Sequence, residues 1–368
     1  MTADTSGQET GAAGIGSGVP AEGTAITAAL PRSPLHLRFL RASGVRPKVL
    51  FYRDAHLPRH MTAAEHACAV DLGRERRWPG EPLTRVRRAN ARYYADVRAA
   101  LDRWRIDRLI LFLESEPLEN CVRDHIGDAR IELWEEGLSH YVDIHGPAYD
   151  TMRASVQALA GFYPRRILHR RAVRRGFAAV RDRFAHGGIP AETPAAPASA
   201  PTRHDAVLLV GAPLVQDRLV GRRRYLRAVE EIAARARQPV VYYAHPREDT
   251  RPLGELERVF GTAWFRVAAN TVDVATHVAS NRYHAHVAAL STALLDVAAH
   301  GPSAVCPALF GLRRAHRKLV GLPFLPARVI ADWAELETFC EAAQARAHVA
   351  RERAGAPIPS EPQPEMAV

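Results

Sequence analysis

Short, largely apolar runs separated by longer amphipathic stretches set the rhythm of this chain. In the first half the runs are Thr24 to Leu30, Lys48 to Tyr52, Leu109 to Leu113 and Ile131 to Trp134, each of a length suited to a buried strand. Between them lie helical patterns. Ser33-Pro34-Leu35 has the cap-then-proline signature of a helix start and leads into His36 to Ala42. Pro82 to Trp104 carries Val86, Ala89, Tyr93, Val97 and Leu101 at three-to-four spacing, and Pro117 to His125 reads as a shorter helix. Strand and helix in alternation predict a parallel sheet covered on both faces.

Thr151 to Phe184 reads as one long basic helix, with Arg165, Arg166, His169, Arg170, Arg171, Arg174 and Arg175 interleaved with Tyr163, Ile167, Leu168, Val173 and Phe177. Such a helix either lies on an anionic membrane surface or turns an arginine-rich face to solvent between domains. Residues 186–204 follow, rich in proline and alanine, as a linker. The alternation then resumes. Ala206 to Val210, Val240 to Tyr243, Phe265 to Ala268 and Ser303 to Cys306 read as strands, and Arg223 to Ala236 and Leu253 to Phe260 as helices. Ser291-Thr292 opens a helix over Ala293 to His300 that Gly301 and Pro302 stop. The expected organisation is a disordered tail at 1–23, a Rossmann-like domain at 24–185, the linker at 186–204, a second Rossmann-like domain at 205–340, and a helix and flexible tail at 341–368. The glycine-rich run Gly11 to Gly18 has no strand before it and no helix after it, so it is not a dinucleotide loop.

Composition narrows the function. With 47% hydrophobic and 24% charged residues the chain is globular, and no apolar run is long enough to span a bilayer or to serve as a signal peptide, so a cytoplasmic protein is expected. Cys68, Cys121, Cys306 and Cys340 have no paired spacing and read as free thiols. The net charge of +10 is carried by arginine, since Lys48 and Lys318 are the only lysines. Guanidinium suits phosphate and carboxylate partners. Aromatic residues are few and no nucleic-acid module is present, so no nucleic-acid partner is expected.

Three features fall at strand ends or helix starts: Glu135-Glu136-Gly137, His245-Pro246 and Ser291-Thr292. Acid-acid-Gly, then His-Pro, then Ser-Ser or Ser-Thr, in that order, resembles the bacterial sialyltransferases that use CMP-sialic acid, the lipooligosaccharide sialyltransferases and capsular polysialyltransferases. Ser33-Pro34-Leu35-His36-Leu37, Leu133-Trp134 before the acids, Leu208 to Leu214 and Leu290 to Leu294 are similar in context, so the resemblance spans Thr24 to Ala308 by motif order. Both acids are glutamates where aspartate is common, and Thr292 replaces a serine. Ala212 stands where a polar residue is common.

The resemblance implies an α/β fold of GT-B type, two Rossmann-like domains facing a central cleft, and an inverting transfer with CMP-N-acetylneuraminic acid as donor and a cell-surface glycan as acceptor. It implies no metal and no other cofactor. Glu135 would be the general base with Glu136 the next candidate, and His245, expected to titrate near neutrality, the acid on the leaving phosphate. Ser291 and Thr292 would hold that phosphate, with Gly137, Pro246 and Ser33 completing the binding loops. Contact with the inner face of the anionic plasma membrane would come from Arg165 to Arg175. Alternatives are a transferase for another CMP-activated acidic sugar such as Kdo, a non-catalytic protein binding anionic glycan or membrane, and a two-domain nucleotide-sugar isomerase.

Overall fold

The computed structural model describes residues 26–78, 80–142, 147–165, 174, 176–184 and 200–353. Its first sheet is built from β1 (Ile26–Leu30), β2 (Val49–Tyr52), β3 (Ala69–Asp71), β4 (Ile106–Leu111), β5 (Arg130–Trp134) and β6 (Ala179–Arg181), in the order β3-β2-β1-β4-β5-β6. The second uses β8 (Val207–Val210), β9 (Val240–Tyr243), β10 (Phe265–Ala268), β12 (Ala285–Ala288), β13 (Ser303–Val305) and β14 (Arg328–Val329), in the order β10-β9-β8-β12-β13-β14. Counted within its own sheet, each half has the strand order 3-2-1-4-5-6 of a doubly wound sheet. Every strand pairing is parallel. A separate pair joins β7 (Thr202–Arg203) to β11 (Asn281–Arg282), so the last linker residues already belong with the second sheet's domain.

The central strands are apolar because both of their faces are covered, and β8 and β9 are buried along their whole length. The covering helices in the first half are α1 (Pro34–Ala42), α2 (Ala63–Ala67), α3 (Leu83–Leu101), α4 (Pro117–Ile126), α5 (Leu138–Tyr141) and α6 (Pro147–Leu159). The second half has α7 (Arg222–Arg235), α8 (Arg251–Phe260), α9 (Val274–Ser280), α10 (Ala293–Val297), α11 (Arg313–Val320) and α12 (Trp333–Arg353). Most segments predicted from apolar runs and three-to-four spacing are found within a few residues of their expected ends.

Four differences have physical causes. The predicted helix over Thr151 to Phe184 stops at Leu159: Gly161 takes a φ of +74° that a helix cannot contain, and the chain returns as strand β6. Residues 166–173 and Arg175 lie outside the described residues. Arg165 and Arg174 face inward, Arg165 onto Glu116 and the Ser115 carbonyl, Arg174 onto the His140 carbonyl and near Glu114. Strand β12 is not visible in the sequence because His286 sits in its middle; the ring is 1% exposed and meets Ser303 Oγ at 3.2 Å from Nδ1. The helix expected over Ala293 to His300 is one α turn followed by a tighter turn at Ala298–His300. Finally, the last helix begins at Trp333 rather than in the tail, because Leu336, Phe339, Cys340 and Ala343 form a stripe that fills the second domain's core.

The first domain's sheet packs Tyr93, Tyr94, Val97 and Leu101 of α3 and Leu118, Cys121 and Val122 of α4 on one face. Phe39, Leu40, Phe112 and Trp134 fill the other. One segment crosses the boundary expected from the sequence. Leu138 and Val142, at either end of α5, pack into the second domain's core.

Burial also sets an acid sensitivity. His36 is 2% and His286 1% exposed, and burial pushes their imidazoles from the ordinary 6.5 down to about 3 and about 4. The unfolded chain therefore takes up protons that the folded chain refuses. Stability is complete above pH 6.5 and is lost as the pH falls toward 4, by about 1.4 kcal/mol per pH unit for each ring. Denaturant unfolding at a series of pH values should show this slope, and His286→Asn should reduce it if the fold is retained.

Candidate active site

In an open parallel sheet ligands gather beyond the carboxyl ends of the strands, where the strand order reverses. Here those points lie between β1 and β4 and between β8 and β12. The loop after β12 holds Leu290, Ser291 and Thr292; the loop after β8 holds Gly211, Ala212 and Pro213. Strand β9, next to β8, ends at Tyr243 and delivers His245-Pro246. In the first domain β5, next to β4, ends at Trp134 and delivers Glu135-Glu136-Gly137.

The acidic loop of the first domain meets the Ser-Thr loop of the second directly. The Leu138 amide donates to Thr292 Oγ1 at 3.1 Å. Gly137, at a φ of +126°, lies against the same threonine so closely that a methyl group there would overlap its side chain. Thr292 thus spends its hydroxyl on the other domain and does not cap α10. Ser291 is 8% exposed, and its hydroxyl makes no hydrogen bond among the described residues. Ser33 is the N-cap of α1 but its side chain accepts no capping hydrogen bond.

The two glutamates have different surroundings. Glu135 is fully buried, with Oε1 accepting from Arg183 Nε at 3.1 Å and Nη2 at 2.9 Å. Its Oε2 accepts from the Arg183 amide at 2.9 Å and the Tyr141 hydroxyl at 2.6 Å. Four donors on one carboxylate leave it a well-satisfied anion with no lone pair turned to solvent. Glu136 is partly exposed and accepts from Ser139 Oγ at 2.6 Å. Under this loop sits His36, stacked on Phe112 with ring centroids 4.1 Å apart and taking the Arg32 amide on Nδ1.

Arg183 continues across the domain boundary. Its Nη1 binds Asp296 Oδ1 at 2.7 Å, and Asp296 Oδ2 receives Arg38 Nη2 at 3.1 Å. Arg38 Nη1 then reaches Asp273 at 3.0 Å. The chain Glu135, Arg183, Asp296, Arg38, Asp273 alternates in sign and ties α1 and the end of β6 to α9 and α10. None of Arg38, Arg183, Asp273 and Asp296 stands out in the sequence, since each is one charge in an ordinary helix or loop with no motif around it. Tyr141 lies within the motif context without any pattern that marks it.

The His-Pro loop is held from beneath. Glu248 Oε2 accepts the His245 amide at 2.6 Å, and its Oε1 accepts the hydroxyls of Tyr225 at 2.8 Å and Tyr242 at 2.7 Å. Burial raises the Glu248 carboxyl above its ordinary value. Gly211 makes room, because a side chain there would overlap this carboxylate. His245 Nδ1 accepts the Arg247 amide at 3.1 Å, which leaves Nε2 to carry the proton of the neutral ring. Burial, reinforced by the charge of Arg247, lowers its pKa to about 4. The expectation of a histidine titrating near neutrality is thereby corrected: in this arrangement the ring is neutral and offers one N–H. Pro246 is exposed at the turn.

No protein-family model matches the chain, and no curated protein matches it in sequence. Among solved structures, it is similar to a putative UDP-N-acetylglucosamine 2-epimerase from Listeria monocytogenes, with a TM-score of 0.50 at 10% identity, covering 90% of this chain and 91% of that one. The fold is of the GT-B type. MurG of Acinetobacter baumannii follows the chain with a TM-score of 0.47 at 11% identity, covering 88% of this chain and 95% of that one. The spinosyn rhamnosyltransferase SpnG gives 0.41 at 15%, covering 90% and 96%. At these identities the likeness is one of fold.

Proposed function

We propose that this GT-B-type protein is an inverting glycosyltransferase that moves sialic acid from CMP-sialic acid to a hydroxyl of a cell-surface glycan. The observation that carries the reading is the meeting of Glu135-Glu136-Gly137 with Thr292 across the domain boundary. Residues more than 150 positions apart in sequence, each at a strand's carboxyl end, share one contact. His245 follows β9, one strand away from the second sheet's reversal point.

In the proposed step an acceptor hydroxyl loses its proton to a carboxylate as its oxygen attacks the anomeric carbon. The bond from that carbon to the phosphate oxygen breaks, and CMP leaves with the electron pair. We assign the proton to Glu136. Its partial exposure gives it access, whereas both oxygens of Glu135 are committed to Arg183 and Tyr141. Glu135 then positions the loop. The Ser291 hydroxyl and the His245 Nε2–H would meet the charge growing on the phosphate, and a bound phosphate would draw the His245 pKa up from about 4. These donors belong to the chain itself. Kdo carried by CMP presents the same leaving group and a similar carboxylate, and a donor screen separates the two.

Incubation with CMP-sialic acid and a panel of galactose-terminated and sialylated acceptors, with products read by mass spectrometry, tests the reading. Acceptor-dependent release of CMP with a mass gain of one or more sialyl residues is expected. Absence of CMP release with every acceptor, together with polyanion binding that collapses as salt rises, would replace it with the non-catalytic alternative. Ser291→Ala should weaken CMP binding by roughly tenfold to a hundredfold, the range for a hydrogen bond to a charged group. Calorimetry with CMP alone checks this.

A further inference from the structure

The surface around Asn90 combines three features that no step of the proposed transfer uses. The first is an apolar stripe on α6. Met152, Val156 and Leu159 are 57%, 40% and 62% exposed and fall on one line of the helix at four- and three-residue spacing. On the opposite side of α6, Ala154 is buried against the domain. The second is Trp78, 45% exposed. The third is a set of exposed arginines, Arg77, Arg87 and Arg88, that have no carboxylate partner among the described residues. Neighbouring Arg76 and Arg85 share Glu81, whose single charge offsets one of the two.

Asn90 is fully buried and fixes these features relative to one another. Its Nδ2 donates to Ala160 O at the end of α6 at 2.8 Å and to Arg76 O at 3.1 Å, while its Oδ1 takes the Arg76 amide at 2.7 Å. Gly161 lies against the backbone of Arg87. The end of α6, the start of α3 and the segment before Trp78 are therefore one surface.

We infer that this surface docks the protein on an anionic lipid bilayer. Aliphatic side chains and a tryptophan enter the boundary between headgroups and acyl chains, and guanidinium groups beside them pair with lipid phosphates. Charge complementarity selects a bilayer over a second copy of this chain, because Arg77, Arg87 and Arg88 have no carboxylate partner among the described residues and arginines outnumber the nearby acids Glu81 and Asp150. Within the basic stretch, Arg165 and Arg174 are committed to Glu116 and to the His140 carbonyl, and the apolar side chains of this surface come from α6. The patch lies near the first domain's strand ends. Just past α6, Asn120 Nδ2 donates to Pro164 O at 3.2 Å and Arg165 Nε to Ser115 O at 3.1 Å, both beyond the end of β4. An acceptor held in the same membrane would thus be presented to the cleft, a clause that rests on the proposed transfer; the docking itself does not.

Cosedimentation of the full chain with vesicles tests it without any donor or acceptor. Binding is expected to vesicles of mixed phosphatidylcholine and phosphatidylglycerol, to weaken with rising sodium chloride, and to be far weaker on phosphatidylcholine alone. Arg87→Gln with Arg88→Gln should weaken it about thirtyfold, at roughly fivefold per arginine. Val156→Ser with Leu159→Ser should weaken it by roughly tenfold per side chain. Both pairs are exposed, so folding should be unaffected, and Val259→Ser on α8, 76% exposed, should change nothing. Equal binding by wild type and both variants, or no pelleting of wild type with anionic vesicles, overturns the inference. So does a concentration-dependent dimer in the absence of vesicles that the same substitutions abolish, since the surface would then belong to a second copy.

Discussion

Glu136→Gln is expected to lower kcat for the proposed sialyl transfer by about 10²- to 10⁴-fold, the range for loss of a general base, while CMP binding changes little. The substitution keeps the shape of the side chain and the ability to accept from Ser139, so the loop stays in place and only the proton acceptor is lost. Glu135→Gln probes a different quantity. It replaces one oxygen of a carboxylate that holds Arg183 three times and Tyr141 once, and its first effect should be on stability and on the fit of the Gly137–Thr292 contact. Steady-state kinetics and CMP calorimetry on both variants separate the two roles. Should Glu136→Gln turn over normally while Glu135→Gln is folded, binds CMP and is inactive, the base is Glu135, and Arg183 must release it during turnover.

Arg183→Met should be the most destabilising single substitution in the domain boundary, by about 3–5 kcal/mol, because removing one partner of a buried ion pair strands the other charges. The side chain of Arg183 is 4% exposed, that of Glu135 fully buried and that of Asp296 10% exposed. The guanidinium also lies over the Phe39 ring, 4.6 Å from its centroid, and over Phe184 at 4.9 Å, so the loss includes packing. Denaturant unfolding reads the effect as a fall in midpoint at unchanged slope. Adding Glu135→Gln and Asp296→Asn to Arg183→Met should restore part of the stability, since the stranded carboxylates are then gone. If Arg183→Met unfolds at the wild-type midpoint, the ion-pair chain does not hold the domains together.

Much of the site was readable because strand ends are readable. Val240 to Tyr243 is an unbroken apolar run that stops at His245-Pro246, and proline there leaves no continuation of the ladder; the observed strand has the same limits. The same holds for Trp134 before Glu135 and, more loosely, for Ser291-Thr292 before α10. The second half of the long basic stretch was not readable. Ala179–Arg181 has neither the length nor the apolar content of a strand, and it joins the sheet only because β5 offers an open edge. His286 in β12 conceals a strand for a related reason, as a polar side chain is tolerated in a core once Ser303 supplies its partner.

The sequence by itself determined the two parallel α/β halves and the three loops at strand ends. Those follow from local periodicity and from turn chemistry, which a chain carries wherever it folds. Tertiary structure alone decided what each charge in those loops does. It buried Glu135 under Arg183, left Glu136 partly open, turned the Thr292 hydroxyl toward Leu138 and kept the His245 ring neutral. The reason is that protonation and hydrogen bonding depend on neighbours within a few ångströms, and here those neighbours come from parts of the chain up to 258 residues apart.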